Sequence, residues 1–133
     1  MNNVAVIIEV VVNPTEDEEK VKKAVQNIFQ YSVLESVPRN CGKLLIMKAE
    51  GKEGLTNLRA LVKQERILSA TQKIMFKGLG ENNIIFYLNR QAAYVKHISF
   101  CNPEGESPLG PIKVEIRCDN PKEIIRWITS ETT

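Results

Sequence analysis

Arg59, Lys63, Arg66, Lys73 and Lys77, followed by Tyr87, Asn89, Arg90 and Gln91, are the residues whose types and spacing suit chemistry. The chemistry they suit is contact with a polyanion. Lys and Arg neutralise phosphates and release counterions. Tyr87, Tyr94 or Phe86 can stack an unpaired base, and Asn, Arg and Gln suit base edges or a 2′-hydroxyl. From Gly54 to Phe100 the basic residues Arg59, Lys63, Arg66, Lys73, Lys77, Arg90 and Lys96 face only Glu65 and Glu81. The whole chain has 18 Lys and Arg, 16 Asp and Glu and a formal net charge of +2, so the position of the charge carries the indication rather than its sum. Arg59, Lys63 and Arg66 fall at i, i+4 and i+7, which on one continuous helix makes an outward stripe. The competing reading is a solvated charged surface, with Asn89-Arg90-Gln91 serving as a turn that satisfies backbone groups.

Other chemistries find little support. His97 is the only histidine, and Cys41, Cys101 and Cys118 show no Cys-x-x-Cys spacing, so no metal site is expected. His97 and Cys101 share one face if the segment is extended, but lie roughly 13 Å apart along it. That is too far for direct proton transfer. Gly78-x-Gly80 follows a helical pattern instead of opening one, the wrong order for a dinucleotide-binding turn. No catalytic residue and no cofactor is assigned, and the expectation is a protein that is not an enzyme.

The elements that must position these residues follow from periodicity. Val4 to Val12 is rich in β-branched residues on both alternating faces and reads as a central strand ending at Asn13-Pro14. Thr15 and Glu18 have capping-box spacing ahead of a helix that buries Val21, Ala24, Val25, Ile28 and Phe29. Ser32–Val37 and Lys43–Glu50 read as strands around the turn cluster Pro38 to Gly42. Leu55 to Lys77 is helical, as one kinked helix or two, with Ser69 as a candidate cap. Ile84–Leu88 and Tyr94–Cys101 read as extended, and Asn102 to Pro111 as a loop. Ile112 to Cys118 alternates apolar and charged residues, the mark of a half-buried antiparallel strand. Asn120-Pro121 opens a last helix anchored by Ile124, Trp127 and Ile128. The order β-α-β-β-α-(α)-β-β-β-α implies an α+β fold, a mainly antiparallel sheet with helices packed on one face.

At 133 residues, 43% hydrophobic and 26% charged, the chain is expected to form a single globular domain over residues 1–133. Glu9 interrupts the N-terminal apolar run, which lacks the basic flank of a signal peptide. No apolar run approaches the roughly 20 residues of a membrane helix. A cytoplasmic protein without membrane contact is the expectation.

Several segments carry a family likeness. They are Asn13-Pro14-Thr15-Glu16-Asp17 with Glu19-Lys20-Val21, Asn57-Leu58-Arg59 with Arg66-Ile67-Leu68, and the most specific run, Phe86-Tyr87-Leu88-Asn89-Arg90-Gln91-Ala92-Ala93. Pro108-Leu109-Gly110-Pro111-Ile112 and Asn120-Pro121 with Trp127 complete the set. With these the chain resembles a family of small, largely uncharacterised archaeal proteins described as predicted RNA-binding proteins, and at times as candidate exosome-associated subunits. The resemblance implies a fold like that of the fifth large-subunit ribosomal protein, and RNA as partner. Ser69 stands where the family more often has an acidic cap, and the loop Asn102 to Ser107 is slightly longer than usual. A second expectation is an interaction module, a homodimer or a subunit of an RNA-processing complex. It would dock through a free sheet edge or the Lys113, Glu115, Arg117 face without touching RNA.

Overall fold

A computed structural model describes residues 3–39, 41–101 and 110–130. The described residues form strands β1 (Ala5–Val12), β2 (Val33–Pro38), β3 (Lys43–Glu50), β4 (Asn83–Leu88) and β5 (Ile112–Arg117). The helices are α1 (Glu18–Gln26), α2 (Thr56–Gln64), α3 (Leu68–Lys77), α4 (Arg90–Tyr94) and α5 (Pro121–Ile128). The sheet order is β2-β3-β1-β5-β4, and every neighbouring pair is antiparallel.

The strand sequences dictate a two-sided sheet. Val6, Ile8, Val10 and Val12 of β1 are buried, as are Leu45 and Met47 of β3, Ile84, Phe86 and Leu88 of β4, and Ile112, Val114 and Ile116 of β5. They meet Val21, Val25, Ile28 and Phe29 around α1, Leu58 and Val62 of α2, Met75 of α3 and Ile124, Ile125 and Ile128 of α5 in one cluster. The alternate residues, among them Ile7, Glu9, Leu44, Ile46, Ile85, Tyr87, Lys113 and Glu115, are only partly buried. No helix among the described residues packs on that face, which is hereafter the bare face. The α+β class and the helices on one face are as the sequence implies.

Four local features differ from the sequence expectation. Asp17, rather than Thr15, caps α1; its side chain accepts from the Glu19 N–H. Glu16 is thereby free for other bonds. Leu55 to Lys77, which the sequence allows as one kinked helix or two, is two, and the break holds Arg66 at φ 59°, so Arg66 leaves the expected stripe with Arg59 and Lys63. Ile67, without a side-chain hydrogen bond, stands at the N-cap of α3 in place of Ser69. Tyr94–Cys101 is not a strand: the chain after β4 turns into α4, and only Phe100 bridges back, to Leu88. Asn89 explains this turn. Its side chain accepts from the N–H groups of Gln91 and Ala92, which favours a helix start over continued extension. The expected loop Asn102 to Ser107, with Pro108 and Leu109, lies outside the described residues.

The two sheet edges are treated differently. Beside β4, the Ile85 N–H donates to Gly78 O and the Cys101 N–H donates to Tyr87 O, so flanking chain covers part of that edge. Gly78 permits the approach, since a Cβ there would overlap the Ile85 carbonyl. β2 pairs only with β3 among the described residues, and all six of its residues are exposed.

Candidate nucleic-acid interface

β1 and β4 both run antiparallel to β5, so their C-terminal ends lie together beside the start of β5. Described residues of three of the family-like segments meet there, Glu16, Arg90 and Gly110 among them. Arg90, the first residue of α4, is 4% exposed. Its Nη1 donates to both carboxylate oxygens of Glu16, at 3.0 and 2.9 Å, and its Nε donates to Gly110 O at 2.9 Å. Glu16 also accepts from the backbone and side-chain N–H groups of Asn13. The guanidinium thus clips the β1–α1 turn, α4 and the approach to β5 together. Burial takes Arg90 out of reach of a phosphate, and Asn89 spends its carboxamide oxygen on the α4 N-terminus. For Asn89 this matches the competing reading of a turn that satisfies backbone groups; the buried ion pair of Arg90 is not foreseen in the sequence. The partner Glu16 was missed because nothing local links positions 74 residues apart.

The positions of the other candidates follow from their elements. Arg59 donates from Nε to Trp127 O at 2.9 Å, and its guanidinium lies 5.4 Å from the Trp127 ring centroid. Lys52 shares that ring at 5.5 Å. Arg59 therefore joins α2 to α5 and does not extend into solvent. Lys63 is half-buried, while Arg66, Lys73 and Lys77 are exposed. From Lys52 to Lys77 there are six basic and two acidic residues, and Glu65 is committed to His97 Nδ1 and the Ile98 N–H.

Tyr87 lies on the other side. It pairs with Lys113 on β5, and both side chains belong to the bare face. The helical basic residues and Tyr87 therefore cannot contact one RNA segment on a single surface. Gln91 returns to the helix side, because α4 packs on α1. Asn27 fastens that packing by donating to the carbonyls of Ala93 and Tyr94 at 2.9 and 3.0 Å.

Tyr94, one of the three rings the sequence offers for stacking a base, stands at the end of α4. It is 39% exposed, and Lys23 Nζ sits 5.7 Å from its ring centroid. Beside it, α1 and α4 bound a cleft of about 300 Å³. The extended reading of Tyr94 to Cys101 misses its place in a helix packed on α1; the signal for that is Asn89 as a helix cap.

The bare face has a different character. Its charges are Glu9, Glu35, Glu50 and Glu115 against Lys48, Lys113 and Arg117, placed by register among Ile7, Val11, Val33, Val37, Leu44 and Ile46. Asn83 donates to Glu115 at 2.9 Å, and this hydrogen bond, more than the neighbouring Arg117, holds the carboxyl below the usual range against the opposing effect of burial. Burial pushes the Cys118 thiol up, as expected for a small buried hydrophobe.

The chain's relatives are consistent in kind. A family model described as "RNA binding" matches residues 5–118. A UPF0201 protein of Sulfurisphaera tokodaii is 42% identical over 127 residues, covering 96% of this chain and 88% of the relative. The crystal structure of a UPF0201 protein from Methanococcus jannaschii superposes with a TM-score of 0.84 at 36% identity, covering 94% of this chain and 98% of that one. A DUF54 protein from Methanothermobacter thermautotrophicus has a TM-score of 0.65 at 19% identity over 97% of this chain and 100% of that one, which shows a shared fold alone.

Proposed function

The chain belongs to the UPF0201 family of archaeal proteins, matched by the RNA-binding family model, and on that premise we propose that it is a non-enzymatic RNA-binding protein that uses its helix side. The observation that carries the reading is the one-sided charge. From Thr56 to Lys77 the helix side presents Lys63, Arg66, Lys73 and Lys77 with Glu65 as the one acidic residue, itself committed to His97 and the Ile98 N–H, whereas the bare face holds three basic to four acidic. A polyanion is drawn to the first and gains nothing from the second.

Lys63, Arg66, Lys73 and Lys77 are assigned to phosphates. Gln91 on α4 is assigned to base edges or the 2′-hydroxyl. Arg59, Asn89 and Arg90 hold the surface in shape, and Tyr87 lies outside the interface. A cytoplasmic location and the absence of a cofactor belong to the same reading. The test is binding of single-stranded and structured RNA across a salt series. Affinity that falls steeply with salt supports the proposal, and no binding at low salt defeats it.

A second reading is favoured by β2. Val33 and Val37 are 43% and 42% exposed on an edge strand whose outer side pairs with nothing among the described residues. Such an edge suits docking to a second copy or to a subunit of an RNA-processing complex. Glu35 and the terminal Pro38 restrain indiscriminate pairing. Sedimentation over a range of concentrations tests it. Self-association abolished by Val33→Lys supports a homodimer, and a concentration-independent monomer removes it.

A further inference from the structure

We propose that the cleft between α1 and α4 is a nucleotide subsite that receives one unpaired nucleotide of a bound RNA strand. The inference rests on the RNA reading for the source of the nucleotide, but its chemistry stands on the cleft itself.

The floor is apolar, formed by the buried Val21 and Ala24 of α1. One wall is the exposed ring of Tyr94. An apolar floor beside an exposed aromatic face suits a planar ring, because base–aromatic stacking tolerates any base. The mouth adds three polar side chains, Asp17, Lys20 and Gln91, all exposed. The Gln91 carboxamide can donate to and accept from a base edge, and the Asp17 carboxylate can accept from an exocyclic amino group. Lys20 lines the cleft and Lys23, also of α1, stands over one face of the Tyr94 ring, so a phosphate attached to a ring bound in the cleft meets positive charge from α1. A planar ring, a hydrogen-bonding edge and an attached anion together describe a nucleotide.

The cleft is also pre-shaped. The buried Arg90–Glu16 pair fixes the start of α4 against the start of α1, and Asn27 fixes the end of α4. Binding therefore need not order the walls first. A cleft of about 300 Å³ is at the small end of ligand sites, which fits one nucleotide and not a longer segment.

The experiment uses the full chain and three probes: a short single-stranded RNA, an abasic oligonucleotide of equal length, and free adenosine and uridine monophosphates. Tyr94→Ala is expected to weaken the RNA roughly tenfold, Tyr94→Phe to retain affinity, and Gln91→Ala to change the preference among bases. The abasic oligonucleotide should bind Tyr94→Ala and the unaltered chain alike. Far-ultraviolet circular dichroism checks that each variant folds. If RNA binds equally well to Tyr94→Ala, the subsite is overturned while the RNA reading stands. If RNA does not bind but a free monophosphate binds in a Tyr94-dependent way, the RNA reading fails and the nucleotide subsite survives. Absence of binding in both arms overturns both.

Discussion

The two sides of one sheet answer the same chemistry in opposite ways. On the helix side, all four charges of α2 and α3 are cationic, and their large apolar residues, apart from the exposed Phe76, turn to the core. On the bare face, charges of both signs alternate with half-exposed Ile and Val. A surface of the first kind attracts phosphates from a distance, with an ionic-strength-dependent pull. A surface of the second kind has little net field and enough apolar area to dock protein. The difference teaches that charge counted along the chain is a poor guide until the face is known. Tyr87, Asn89, Arg90 and Gln91 are near neighbours in sequence. They fall on the bare face, in a helix cap, in the interior and on the helix side respectively.

The comparison can be broken most forcefully at Arg90. Arg90→Met leaves the Glu16 carboxylate enclosed without its countercharge, and the expected loss of unfolding free energy is roughly 3–5 kcal/mol. Lys113→Met on the bare face should change it by no more than about 0.5 kcal/mol. Urea unfolding of both proteins reads the contrast. Equal small effects would return Arg90 to the surface candidates. Arg59→Ala removes the hydrogen bond to Trp127 O and the ring contact, for a loss of about 1–2 kcal/mol in the same assay. RNA affinity should barely change.

Arg66 sharpens the comparison differently. Its left-handed backbone is strained for a side chain, so Arg66→Gly should stabilise the fold by up to about 1 kcal/mol. The same change weakens RNA binding by removing one phosphate contact. Stability and affinity moving in opposite directions would separate fold from function at one residue.

The smallest effect belongs to Glu115. A carboxylate held low in the folded state adds stability above its unfolded pKa of about 4.5, and that contribution is lost as the pH falls through the lower folded value. Asn83→Ala removes the main cause and should move the carboxyl titration upward by NMR. RNA binding near neutral pH should not respond.

Much of the fold was legible because its signals are local. Ile112 to Cys118 alternates so cleanly that its buried and polar faces follow directly, and Lys43–Glu50 is bounded by turn residues at both ends. The site was less legible because its determinants are distant or silent. Arg66 carries no mark that it must adopt a left-handed conformation. Tyr94, Val95 and Ile98 have strand-forming side chains, yet the Asn89 cap and packing on α1 hold the first part of that segment helical. The type of Arg90 says surface, and only the fold supplies Glu16 and Gly110 as its partners. Periodicity supports an Arg59-Lys63-Arg66 stripe, but the orientation of Arg59 toward Trp127 depends on where α5 lands.

The most direct test of the account compares two triple variants of the full chain. Lys63→Gln, Lys73→Gln and Lys77→Gln together remove cations from the helix side. Lys48→Gln, Lys113→Gln and Arg117→Gln remove them from the bare face. Both change net charge equally, so only position differs. Single-stranded RNA affinity is measured across a salt series. The account predicts that the helix-side variant flattens the slope of log K against log salt by about 2, while the bare-face variant keeps the unaltered slope. Equal flattening by both variants, or flattening by the bare-face variant alone, would contradict it.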